Sequence, residues 1–221
     1  MKIGFFGCSF TEGGGLNSPV FNEYAIKNKL ISNEYKENYE KTQNDFRYST
    51  LIGKDLNCEV ENFGKGCSSN EYIFNQLYEH HEKFDICVVQ LTIYSRRYQW
   101  DEHKEKFEHI NNIDNFTLNR FNREYAEEQV GMMINLFDNL DTKIYWLFHD
   151  PIPKNCKSKN IVYFKPNGHL HDFIKKYKLT FTDETKGYYD DLHYSLEGNR
   201  IIADKILEKI NEKQKIFTDT K

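Results

Sequence analysis

Two short segments hold residue types whose spacing could do chemistry. The first, Gly7-Cys8-Ser9-Phe10-Thr11-Glu12-Gly13, follows directly on the apolar run Lys2-Ile3-Gly4-Phe5-Phe6. A serine at the mouth of a buried strand is presented on a rigid backbone, as a nucleophile requires, and its own N–H can help hold an oxyanion. The second segment is Asp190-Asp191-Leu192-His193-Tyr194-Ser195-Leu196-Glu197-Gly198. A carboxylate three residues before a histidine can hold one imidazole nitrogen and leave the other to take a serine proton. Each segment also has a plainer reading, a glycine-rich turn in one case and a helix cap with an incidental histidine in the other. The Gly-Lys-Ser/Thr ending of a P-loop and the G-x-G-x-x-G spacing of a dinucleotide site are both absent.

Other polar clusters are less specific. Arg96 and Arg97 read either as clamps for an anionic or sugar substrate, with Arg96 the candidate, or as a structural ion pair or solvated loop. His149-Asp150 closes an apolar run and could line a cleft or serve as a cap. His169 and His171 lack a third ligand at a suitable spacing, so no metal is assigned, and no cofactor motif is found. The five cysteines, Cys8, Cys58, Cys67, Cys87 and Cys156, contain no C-x-x-C pair, and such usage fits a reducing compartment.

The elements that must carry these residues alternate along the chain. Strands are expected at 2–6, 58–63, 84–92, 143–148, 161–164 and 179–182. The run Phe84-Asp-Ile-Cys-Val-Val-Gln-Leu-Thr92 has the continuous apolar character of a central parallel strand. Helices are expected at 46–56, closed by Asn57, at 69–81, capped by Ser68 or Ser69, at 122–140, at about 168–177, and from Ser195 through Ile210. Such alternation implies a layered α/β fold with a largely parallel sheet, whose sites form where strand C-terminal ends meet loops. One domain is expected over 1–213, with insertions at 22–45 and 98–120 and a polar tail at 214–221.

Taken together, the two segments resemble the SGNH hydrolases, also called the GDSL esterase and lipase family. Gly7-Cys8-Ser9-Phe10-Thr11 is similar to the nucleophile block, with Cys8 where the family has Asp, and Asp190 with His193 is similar to the terminal Asp-x-x-His block. The resemblance implies a three-layer α/β/α fold with a mostly parallel, flavodoxin-like sheet and a catalytic triad of Ser9, His193 and Asp190. It further implies an oxyanion hole built from the backbone N–H groups of Ser9 and of a glycine after the second strand. Gly66 is the first choice for that glycine and Gly64 the second, although both could simply shape a turn. The family's third block carries an Asn that is missing here, since Gln90-Leu91-Thr92-Ile93-Tyr94-Ser95-Arg96 stands in its place. That departure resembles a divergent branch common among phage and bacterial proteins. The third oxyanion donor is open between Asn70, Thr92, Tyr94 and none.

The resemblance implies a serine esterase acting on a small acyl group, with an O-acetyl on a carbohydrate as the first guess for substrate. An O-acyltransferase with the same triad, and a catalytically weak glycan- or protein-binding module, are the alternatives. With 30 basic against 34 acidic residues and a formal net charge of -4, the chain lacks the basic excess of a nucleic-acid binder. It has neither a signal-peptide pattern nor the apolar run of about 18 residues that a spanning helix needs, so a cytoplasmic location without membrane contact is expected.

Overall fold

The computed structural model describes residues 1–94, 97–101, 106–110, 120–181 and 191–218. Its centre is a four-stranded parallel sheet of β1 (Lys2–Gly7), β2 (Glu59–Gly64), β3 (Ile86–Leu91) and β6 (Lys143–Phe148), in the order β2-β1-β3-β6. The register runs Phe6 beside Phe63 and Val89, and Val89 beside Trp146. All six residues of β3 are buried, as its sequence predicts for a strand covered on both faces.

Alternate side chains along the strands point to opposite faces and divide the core in two. Ile3, Phe5, Val88, Tyr145 and Leu147 pack on one face against α4 (Tyr48–Leu56), α7 (Leu170–Tyr177) and α8 (Leu196–Thr218). Phe6, Cys87, Val89, Leu91, Trp146 and Phe148 pack on the other against α5 (Asn70–His80) and α6 (Arg120–Phe137). The molecule is therefore a three-layer α/β/α sandwich.

The helix ends follow from local chemistry. Ser69 caps α5, its hydroxyl accepting from the Tyr72 N–H. Ser195 Oγ accepts the Gly198 N–H at 3.0 Å and starts α8, which continues past residue 213 to Thr218. Asn57, left-handed at φ 48°, ends α4.

The expected 46–56 helix is α4, which starts two residues later; Phe46 instead closes α3 (Tyr39–Phe46), and Arg47 separates the two. The expected strand at 161–164 reduces to two isolated bridges, Ile161 parallel to Trp146 and Phe164 antiparallel to Gly168. Pro166 and Gly168, which supply no donor and a left-handed turn respectively, bend the chain away before a ladder can form. The 179–182 segment supplies only β7 (Thr180–Phe181), which pairs antiparallel with β8 (Asp191–Tyr194) outside the main sheet.

The insertion expected at 22–45 carries ordered helix. With α1 (Ser9–Glu12) behind it, α2 (Pro19–Lys27) and α3 enclose a small core of Leu16, Phe21, Ala25, Ile31 and Tyr35. Buried Asn22 ties that core together, donating to Tyr35 O at 2.7 Å and to Thr42 Oγ1 at 2.9 Å. Within 98–120 the described part is an antiparallel hairpin of β4 (Arg97–Asp101) and β5 (Lys106–Ile110).

Candidate active site

Because the four central strands are parallel, the segments that leave their C-terminal ends converge on one edge. Ser9 follows β1, Gly66 follows β2, Thr92 follows β3 and His149 follows β6. Ser9 opens α1, a single tight turn in which Cys8 O accepts the Thr11 and Glu12 N–H groups, each at 3.0 Å. Ser9 O accepts from Gly13 N at 3.1 Å and from Gly14 N at 2.7 Å. Gly13, at φ 90°, adopts the left-handed conformation that ends the turn.

His193 arrives from the other end of the chain on β8 and lies against this turn. Its ring centroid is 4.9 Å from that of Phe10, the residue after Ser9. A Cβ built on Gly14 would stand 2.8 Å from His193 Nε2 and 3.1 Å from Ser9 O. The imidazole thus rests on a backbone that has no side chain in its way, at the end of the turn that Ser9 begins. Asp190 and Arg96 lie outside the described residues.

The two candidate oxyanion glycines have different reasons to be glycine. A Cβ on Gly64 would strike the Thr11–Glu12 backbone, so this residue is required for α1 to pack on β2. A Cβ on Gly66 would meet only Glu12 Oε2, at 3.4 Å, and its φ lies outside the left-handed range. Packing therefore does not demand a glycine at 66, and the space in front of it is open.

The candidates for a third donor are largely committed elsewhere. Asn70, 5% exposed, grips the Thr92 backbone at both ends of its amide, Oδ1 accepting the Thr92 N–H at 2.8 Å and Nδ2 donating to Thr92 O at 3.2 Å. The Tyr94 hydroxyl donates to Pro151 O at 2.6 Å. Burial raises the Tyr94 phenol well above its ordinary value, with the Asp150 charge adding to the effect. Thr92 itself is buried at 2% exposure.

Four further residues shape the electrostatics of this edge. Glu12 stands one helical turn from Ser9, with its carboxylate beside Gly66, and that i, i+3 spacing is the sequence signal that could have found it. Burial lowers the Arg47 guanidinium from its ordinary value, while the nearby Glu12 charge acts in the opposite direction. His149 packs its ring 5.3 Å from Phe10 and 5.6 Å from His171. Its Nδ1 lies 3.6 Å from Asp150 Oδ1, a charge contact too long for a hydrogen bond. Burial pushes the Asp150 carboxyl up, but the adjoining His149, the Tyr94 N–H and the Arg123 charge outweigh burial and leave it below its ordinary value. His169 pairs with Asp172 at 3.4 Å rather than with His171. Among the described residues, no group of three or more His, Cys, Asp or Glu could hold a metal ion.

No protein-family model matches the chain, and no curated protein matches it. Similar solved structures include a protein from Desulfitobacterium hafniense DCB-2 described as lipolytic and of the G-D-S-L family. It is 11% identical, with a TM-score of 0.40, over 94% of this chain and 98% of that one. An acetylxylan esterase from Geobacillus stearothermophilus, studied as a catalytic mutant, is 16% identical, with a TM-score of 0.38, over 95% and 93%. An acetyl xylan esterase from the rumen bacterium Butyrivibrio proteoclasticus is 14% identical with a TM-score of 0.45, and the present chain spans 64% of its length. With identities of 11–16% and TM-scores below 0.5, these likenesses assign no role to any residue here. The candidate site stands on its own geometry.

Proposed function

We propose that the chain is a serine hydrolase of ester bonds, with Ser9 as nucleophile, His193 as general base and Asp190 as the carboxylate that orients it. The observation that carries this reading is the seating of the His193 ring on Phe10 and Gly14, within the turn that Ser9 opens. Ser9 and His193, from opposite ends of the chain, lie near each other there, at the C-terminal edge of a parallel sheet, where α/β folds place their sites.

In this reading Ser9 Oγ attacks the ester carbonyl and His193 takes its proton. The tetrahedral oxyanion is received by the backbone N–H groups of Ser9 and Gly66. His193 returns the proton to the departing alcohol, leaving an acyl group on Ser9. Water, deprotonated by His193, then releases the acid. The open space at Gly66 suits a small acyl group, and an O-acetyl on a carbohydrate is the substrate proposed first.

A second reading, a catalytically weak glycan- or protein-binding module, is favoured by one observation. The Asn70 amide and the Tyr94 hydroxyl are both engaged elsewhere, and a missing oxyanion donor can cost ~10²–10³ in rate. The deciding experiment is a serine-directed fluorophosphonate label on wild type and Ser9→Ala, beside turnover of p-nitrophenyl acetate. Labelling and turnover that disappear together in Ser9→Ala are expected. A folded wild type that neither labels nor turns over would end the hydrolase reading.

A further inference from the structure

One chain of hydrogen bonds runs through the buried interior beneath Ser9 and His193, linking four elements far apart in sequence. Tyr48 Oη, on α4, lies 2.8 Å from Thr11 Oγ1 and 3.1 Å from Gln90 Oε1. Thr11 Oγ1, on α1, donates to Gln90 Oε1 at 3.0 Å. Gln90 Nε2, on β3, donates to Tyr194 Oη, on β8, at 2.9 Å. Thr11, Tyr48 and Gln90 are fully buried, and Tyr194 is 1% exposed.

This is an expensive way to fill a core. Gln90 interrupts a strand that is otherwise apolar, and burying an amide without partners costs several kcal/mol, roughly 2–7 depending on reference. An aliphatic side chain of similar volume would avoid that penalty altogether. What a satisfied polar network adds is direction, because each hydroxyl and amide accepts only a narrow range of partner positions.

Other features converge on the same four residues. A Cβ on Gly7 would overlap Thr11 Oγ1, so the glycine before the Ser9 turn leaves the space that this hydroxyl fills. Asn199, 1% exposed, accepts the Tyr48 N–H at 3.0 Å and donates to Tyr194 O at 3.1 Å. The two tyrosines are therefore held to each other through their backbones as well as their side chains. Thr11 is on the turn that Ser9 opens, and Tyr194 is the residue after His193. The Phe10 ring touches both ends, 4.9 Å from His193 and 4.8 Å from Tyr194.

We propose that Thr11, Tyr48, Gln90 and Tyr194 are positioning residues, a buried strut that fixes the separation of the Ser9 turn from the His193 strand. The proposal rests on the Ser9–His193 reading for its catalytic consequence, but its structural claim stands apart from that reading. The strut does not titrate in the working range, since burial raises both phenols well above their ordinary value. It acts on the base and the nucleophile only through where it holds them.

The test uses Thr11→Val and Tyr48→Phe, which remove one hydroxyl each at nearly constant shape, with Gln90→Met as the stronger lesion and Thr11→Ser as the rescue. Turnover of p-nitrophenyl acetate is measured per Ser9 titrated with fluorophosphonate, and the His193 imidazole is followed by NMR through a pH titration. Thr11→Val is expected to lower kcat about 10²-fold, as a reacting group displaced by about 1 Å does, with KM within about twofold. It is also expected to move the His193 titration midpoint, and Thr11→Ser should restore both. Wild-type kcat per titrated Ser9 and an unmoved His193 midpoint in Thr11→Val and Tyr48→Phe, with only the melting temperature lowered, would overturn the strut. If wild type itself shows no labelling, the hydrolase reading fails. The His193 midpoint in Thr11→Val then decides the strut alone, a shift supporting it and constancy overturning it.

Discussion

Gly14 holds the His193 imidazole by what it lacks, since a methyl group at its α-carbon would lie 2.8 Å from both Cδ2 and Nε2 of the ring. No left-handed backbone angle requires a glycine there, so the contact alone accounts for the residue. Gly14→Ala is therefore expected to destabilise the fold by about 1–3 kcal/mol, the usual cost of overpacking, since the new methyl group also lies 3.1 Å from Ser9 O. The same change displaces the imidazole and should lower kcat/KM by about 10²-fold. A thermal melt beside ester turnover checks both.

Gly64 and Gly66 should separate in the opposite manner from a common-sense pairing of neighbours. Gly64→Ala forces a methyl group into the Thr11–Glu12 backbone and should destabilise by about 1–3 kcal/mol, the usual cost of overpacking. Gly66→Ala meets only the end of the flexible Glu12 side chain and should melt like wild type. It narrows the space offered to the acyl group, so KM should rise, most for the bulkier of acetyl and butyryl esters. Urea denaturation and a two-substrate comparison test both halves.

Tyr94→Phe distinguishes an oxyanion donor from a structural hydroxyl. The Tyr94 hydroxyl is bonded to Pro151 O at 2.6 Å, so its removal should cost about 0.5–1.5 kcal/mol of stability. The rate on p-nitrophenyl acetate should change by less than tenfold, well short of the ~10²–10³ that loss of an oxyanion donor brings. A larger fall in kcat with unchanged melting temperature would return Tyr94 to the oxyanion hole.

Acid should weaken the fold through Asp150. Its folded-state pKa lies below the ordinary carboxyl value of 3.8, so the carboxylate contributes stability that is fully present above that value. The contribution is lost as pH falls through the depressed folded value. Asp150→Asn should be less stable than wild type from about pH 5 upward, with the two curves converging at lower pH. Melting temperatures measured from about pH 2.5 to 7 would show the convergence. Parallel curves would mean that the carboxylate's charge contributes nothing.

The sequence made some of this architecture legible and hid the rest for physical reasons. β3 could be read because a strand buried on both faces needs a continuous apolar run, and Ile86–Val89 supplies one. Ser9 and His193 could be read because a nucleophile and a base are chemical types in recognisable surroundings. β4 and β5 alternate polar and aromatic residues, as Gln99-Trp100-Asp101 and Lys106-Phe107-Glu108 do, but a period-2 signal this short is submerged in the long polar stretch around it. β8 is four residues long and its partner β7 only two, too short for a period to emerge. Of the Thr11–Tyr48–Gln90–Tyr194 chain only Gln90 leaves a local signal, a lone amide in an apolar strand; its partners are unremarkable residues until the fold brings them together. Gly64 and Gly66 look equivalent in a sequence and differ only in what stands opposite them.

The placement of β1 inside the sheet has a consequence for how the protein is made. Its flanking strands are β2 and β3, so the two edges of β1 are not both paired until residue 91 has left the ribosome. At roughly 5–20 residues per second, and allowing for the exit tunnel, that interval is on the order of ten seconds. For its duration, the nascent chain carries an aromatic β-strand with at least one unpaired edge. Soluble yield in a cell should accordingly depend on chaperone supply and on translation speed between the β1 and β3 codons, more than on the stability of the finished fold.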